Sequence, residues 1–269
     1  MKMKEKKNPH YPWRGFFLFL GMYLITLAVQ YPVTRLQAQS YLEILEDAFA
    51  YTPNQFALLA LLQPLFLGII AIYGGFRYAP RVHLHSLTSE NLENTKKSTK
   101  DNKKYTLKES IPFVVLFAFG LALLNLGFDV VFQNGLPEMY QPHFSIPTIS
   151  QALAHVLYDG IGQEILLRWG VMTTIIYVLS AKGQDLNRWI YIIGIVFTAV
   201  LYAFSQYNTA FAAGDFNVLL VLRILLLNGL DGILFGWLYY KFHFEAAAIS
   251  HALMNVLIIF GNIFMVALF

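Results

Sequence analysis

Residues 111–132 read IPFVVLFAFGLALLNLGFDVVF, and Asp129 is the only charged residue among them. An α-helix rises 1.5 Å per residue, so a run of this length reaches about 33 Å. That is enough to cross the ~30 Å hydrocarbon layer of a bilayer, and a run this apolar reads as a membrane span. Six further stretches of the same character surround it, at 15–34, 56–76, 149–180, 189–207, 216–240 and 245–269. The whole chain is 57% hydrophobic and 13% charged, against about 25% charged for soluble domains. Too few polar groups remain to coat a water-soluble globule. The expected fold class is all-α, a polytopic membrane helix bundle of about seven transmembrane helices.

The connectors give a second, independent signal. The tail before the first span carries Lys2, Lys4, Lys6, Lys7 and Arg14, whereas the next connector is acidic, with Glu43, Glu46 and Asp47. The third is strongly basic, from Arg77 and Arg81 through Lys96, Lys97, Lys100, Lys103, Lys104 and Lys108. Beyond it, connectors without Lys or Arg (133–148 and 208–215) alternate with ones holding Lys182 and Arg188, or Lys241. Basic connectors stay in the cytoplasm, so the N-terminus is expected inside and the C-terminus outside. The first apolar stretch is too long for a signal-peptide core and reads as an uncleaved first span.

This divides the chain into a cytoplasmic basic tail (1–14), N-terminal membrane helices (15–148) and a C-terminal set of membrane helices (149–269). The N-terminal part includes a flexible basic cytoplasmic loop at 78–110; from Ser86 to Lys108 it is rich in Ser, Thr, Asn and Lys, with little to bury. Tyr41, Leu42, Leu45 and Phe49 share one helical face opposite Glu43, Glu46 and Asp47, which suggests a short helix lying on the outer surface. Cysteine is absent, which excludes disulfides, thiol nucleophiles and thiolate metal sites. No repeat or inverted half is visible, which counts against many transporter folds.

A charged side chain at the bilayer centre costs roughly 2.5–3.5 kcal/mol on insertion scales. The first three spans hold almost none apart from Asp129; the last four hold many. In the fourth, Glu164 and Arg168 are four apart and can pair on one helix face. His155, Asp159 and Gln163, also four apart, make a second stripe. The span is long and contains Gly160 and Gly162, so a tilt or break is expected there. His251 and Asn255 share a face of the last span, and both can donate hydrogen bonds. Arg223, Asn228 and Asp231 in the sixth span need partners; Arg223 can neutralise Asp231 or an acid on another helix.

These residues resemble the motifs of the CAAX-protease and bacteriocin-processing (CPBP, or Abi) family of membrane proteins. The first family motif is two glutamates, three residues, then arginine, usually followed by glycine. The run Gln163-Glu164-Ile165-Leu166-Leu167-Arg168-Trp169-Gly170 fits it except at the first position. The last is His-x-x-x-Asn after a Gly-Trp-Leu-Tyr-like helix end, and Gly236-Trp237-Leu238-Tyr239 followed by His251 and Asn255 is similar to it. The middle motif, an aromatic residue and then histidine four positions on, falls on Tyr202-Ala203-Phe204-Ser205-Gln206. The resemblance spans roughly 149–269.

The resemblance implies a helix bundle enclosing a polar cavity and an intramembrane endopeptidase activity. In the family the first glutamate and the middle histidine activate water, while the last histidine and asparagine hold the oxyanion. Here Gln163 and Gln206 occupy the two activating positions, and an amide cannot take a proton from water near neutral pH. Glu164, Arg168, His251 and Asn255 remain as the expected site residues, with His155 and Asp159 as auxiliaries if the helix continues through its glycines. The expected function is binding of a polypeptide or lipidated tail in the cavity, with hydrolysis weakened or lost. Two alternatives stand beside it: an active endopeptidase using Glu164 with His251 and Asn255, and a transporter using Asp231 and Arg223. No cofactor or metal is expected, since Glu164 and His251 supply too few ligands. The expected partners are membrane lipid and a peptide or lipidated protein, not nucleic acid, in a bacterial-type plasma membrane.

Overall fold

The computed structural model describes residues 11–44, 51–92, 105–136, 146–205 and 217–268, and all of its regular elements are helical. We number them α1 (Trp13–Ile44), α2 (Pro53–Tyr78), α3 (Leu87–Leu92), α4 (Leu107–Phe132), α5 (149–179), α6 (Arg188–Ser205), α7 (Val218–Lys241) and α8 (Phe244–Leu268). Helix starts follow local chemistry. Thr52 and Thr148 each form a capping box with the glutamine three residues on, satisfying backbone N–H groups that the first turn leaves free. Asn217 does the same for α7, accepting from the backbone N–H of Leu219 at 2.7 Å.

Helices α1, α2, α4, α6, α7 and α8 are each long and apolar enough to cross a membrane. The protein is thus a multi-pass membrane protein, built as an all-α bundle. The remaining expected span is α5, which is helical from 149 to 179 but changes pitch on the way. It is α-helical over Ile149–Leu153, widens to π turns over Ala154–Gly162, and widens again over Ile165–Met172. Gly160 and Gly162 therefore do not break it. They let neighbours approach: a Cβ on Gly160 would meet the Ala252 backbone of α8 at 2.6 Å, and one on Gly162 would meet Thr26 Oγ1 of α1 at 2.7 Å.

Helix α5 packs against α1, α2, α6 and α8, so the helix richest in polar groups sits inside the ring. Below Arg168, Trp169 lies among Phe19, Phe76 and Phe244, with ring centroids 4.8–5.8 Å away. This aromatic plug joins α1, α2, α5 and α8. Large apolar side chains such as Phe66, Ile70, Leu116, Phe260 and Phe264 point outward and are more than half exposed. A soluble monomer rarely carries so broad an apolar surface; here it faces lipid.

Two expectations change. Helix α1 does not stop near residue 34 but runs to Ile44 through Pro32, so Tyr41 and Leu42 belong to its end. Leu45, Glu46, Asp47 and Phe49 lie outside the described residues. The loop at 78–110 is not loose throughout. Val82, Leu84 and Ser86 are buried and Leu87–Leu92 is helical. The Glu245 carboxylate of α8 explains this: it accepts from the Ser86 hydroxyl at 2.6 Å and from the backbone N–H groups of Leu87 and Thr88 at 3.0 and 2.9 Å. A charge on another helix, distant in sequence, supplies the order that composition alone does not. Residues 93–104 lie outside the described part.

Candidate functional site

The two stripes of α5 lead to two different polar groups. The first is buried. Glu164, Arg168 and His251 are each at most 1% exposed. His251 donates through Nδ1 to Glu164 Oε1 at 3.0 Å, and Arg168 Nε lies 3.3 Å from Glu164 Oε2. Arg168 also donates through Nη2 to the Gly232 carbonyl of α7 at 3.1 Å. The guanidinium offsets the carboxylate charge where no water can do so. The pairing is close but poorly aligned, since neither Arg168 Nε nor Glu164 Oε2 completes a hydrogen bond. Phe235 of α7 stacks on the His251 ring at 4.5 Å and 19°.

The second group reaches the surface. His155 is bonded through Nδ1 to Asp159 Oδ2 at 2.8 Å, and Gln163 Nε2 donates to Asp159 Oδ1 at 2.8 Å. One carboxylate thus links three residues of one stripe across the π turns. The His155 side chain is 59% exposed. Asn255 of α8 donates through Nδ2 to the His155 backbone carbonyl at 2.7 Å, which ties the α8 motif to this chain. Beside the α5–α8 seam lies an apolar groove of about 280 Å³, lined by Val156, Ile161, Ala248, Ala252, Leu253 and Val256 among others.

The expected pairs Glu164–Arg168 and His155–Asp159–Gln163 are therefore both formed. His251 and Asn255 separate: the first turns to Glu164 and the second to His155. Among the described residues, Glu164 is bonded to His251 and paired with Arg168, and His155 is bonded to Asp159. Gln206 lies outside the described residues. Arg223 takes the acid on another helix, Asp129 of α4, in a two-pronged contact at 2.7 and 3.0 Å. Asp231 is left free of it, buried, and within electrostatic reach of His251, Arg168 and Glu164. Tyr202 of α6 is buried within reach of Asp159, Glu164 and Asp231 alike. Spacing along one helix could not reveal either placement, though the lone acid of the sixth span and the aromatic of the middle motif marked both residues.

Among the described residues no three His, Asp or Glu side chains are arranged to hold a metal ion. Glu164 and His251 are bonded through Oε1 and Nδ1, which leaves Glu164 Oε2 and His251 Nε2 as two donors, fewer than a metal site needs.

Residues 145–257 match the family model described as type II CAAX prenyl endopeptidase Rce1-like. This part of the chain is similar to the Rce1-like family. The matched stretch starts just before α5 and ends just past Asn255, so it contains both polar groups and leaves out α1, α2 and α4. No curated protein and no solved structure matches the chain.

Proposed function

We propose that this Rce1-like membrane protein receives a polypeptide or a lipidated tail at the α5–α8 seam, with hydrolysis through the family's own activating residues weakened or lost. The observation that carries this is the state of Glu164. Its carboxylate is 1% exposed and lies between His251 and Arg168. A base must reach the water it deprotonates, at about 2.6–3.2 Å in a plausible pose. Glu164 is engaged elsewhere, and its neighbour Gln163 is an amide. The reading in which Glu164 acts as base with His251 and Asn255 is disfavoured on the same ground, because Asn255 points to another partner.

The groove supports the binding half of the proposal. It is apolar, it runs along the same two helices as the polar chain, and it suits an apolar side chain or a lipid tail. Polar groups placed beside an apolar cleft are the usual makeup of a ligand site.

The test compares peptide termini in membrane and secreted proteins from three strains: intact, deleted, and carrying Glu164→Gln with confirmed expression. A photo-reactive residue at Val156 reports capture in the same cells. The proposal expects capture at Val156 and termini that match between the intact and Glu164→Gln strains. A processed terminus lost in both altered strains, while Glu164→Gln is still captured at Val156, would make Glu164 a catalyst and overturn it.

A further inference from the structure

We infer that His155 and Asp159 form a replacement base, so that residual peptide hydrolysis runs through the exposed chain His155–Asp159–Gln163 with Asn255, and not through Glu164. This rests on the proposal that the α5–α8 seam receives a polypeptide.

A carboxylate only accepts hydrogen bonds. Asp159 Oδ2 lies 2.8 Å from His155 Nδ1, so Nδ1 carries a proton there and Nε2 is left as the basic nitrogen. An imidazole whose tautomer is fixed in this way is a ready general base, and this one is exposed to an incoming reactant. Gln163 is oriented by the same logic. Its Nε2 must face Asp159 Oδ1, so its Oε1 faces away, and that oxygen is buried with no hydrogen-bond partner. An unpartnered buried acceptor is destabilising, and a water or a peptide N–H would satisfy it. Asn255 has two N–H donors and spends one on the His155 carbonyl. The second is available beside His155 for a developing oxyanion.

The step balances without a cofactor. His155 Nε2 takes a proton from water as the water oxygen bonds to the scissile carbonyl carbon. The resulting oxyanion takes the free N–H of Asn255. When the C–N bond breaks, the imidazolium returns the proton to the departing amine, leaving a new carboxyl terminus and a new amino terminus. Asp159 is a positioning residue: it holds the imidazole tautomer and faces the charge formed on it. The replacement of Gln163 then reads as compatible with chemistry. A glutamate there would set a second carboxylate against Asp159, whereas the amide binds it.

The test uses the purified full-length protein in phospholipid nanodiscs. The probe is a mixed-sequence peptide library, with and without a C-terminal isoprenyl thioether, and new termini are read by mass spectrometry. Photo-reactive members of the library report binding. We expect new termini from the unaltered protein and a fall of about 10²–10⁴-fold in His155→Ala, the usual worth of a general base. Added imidazole should restore part of that loss, which a merely structural role for His155 would not allow. Asp159→Asn should lower the rate while removing the Nδ1–H signature of His155 in nitrogen-15 NMR spectra. Cleavage unchanged in His155→Ala, or lost there without imidazole rescue, would overturn the inference. Cross-linking without cleavage would leave the binding proposal standing and remove the base; neither binding nor cleavage would remove both.

Discussion

At the residue scale, Glu164, Arg168 and His251 form a buried cluster of titratable groups. Removing one partner of a buried pair leaves an uncompensated charge and costs about 3–5 kcal/mol, whereas replacing both with groups of like shape is often close to neutral. Arg168 is completely buried and also holds the Gly232 carbonyl. We therefore expect Arg168→Met to unfold much of the protein in detergent, and Glu164→Gln with Arg168→Met to recover most of the loss. Thermal unfolding followed by tryptophan fluorescence measures both. If the double variant is no better than the single one, Glu164 is not what Arg168 compensates. The pairs within α5 were legible in the sequence because residues four apart share a helix face. The bond from Glu164 to His251 was not legible. It depends on the register between α5 and α8, which is set where Gly160 meets the Ala252 backbone.

At the element scale, glycines decide how closely helices approach. A Cβ on Gly170 of α5 would overlap the Ala71 side chain and lie 2.7 Å from Ala71 Cα on α2. Backbone cannot step aside as a side chain can, so α2 and α5 would separate. Gly170→Val is expected to destabilise by at least the 1–3 kcal/mol roughly typical of overpacking, read as a lower unfolding midpoint in the same assay. Gly120, with open space where its Cβ would stand, should accept alanine with little change. The pair Arg223–Asp129 joins α7 to α4, and both side chains are partly exposed. A double-mutant cycle of Arg223→Ala and Asp129→Asn should give a coupling of about 0.5–3 kcal/mol, the range for contacting residues. A coupling near zero would mean that α4 and α7 are held by apolar packing alone. The widening of α5 into π turns over Ala154–Gly162 and Ile165–Met172 had no sequence signal beyond Gly160 and Gly162.

At the scale of the whole molecule, function depends on which end of α5 faces which side. The alternation of basic and non-basic connectors predicts the N-terminus inside; with α5 counted as a span, α5 would then run from the outer side inward. In that orientation His155 would lie near the outer end, and the Glu245 clamp on residues 86–88 at the inner end. A peptide processed or held at the exposed chain would then approach from outside or from the outer leaflet. The chain has no cysteine, so single cysteines can be placed without background. Ser98→Cys, in the basic connector, should resist a membrane-impermeant maleimide in intact cells and react once the membrane is opened. Ser145→Cys, just before α5, should react in intact cells. The reverse pattern would place the N-terminus outside and turn the His155 end toward the cytoplasm, where a cytosolic tail would be the reactant. Both cysteines reacting from one side would mean that an odd number of crossings does not separate them, and that α4 does not span the bilayer as its length and hydropathy imply.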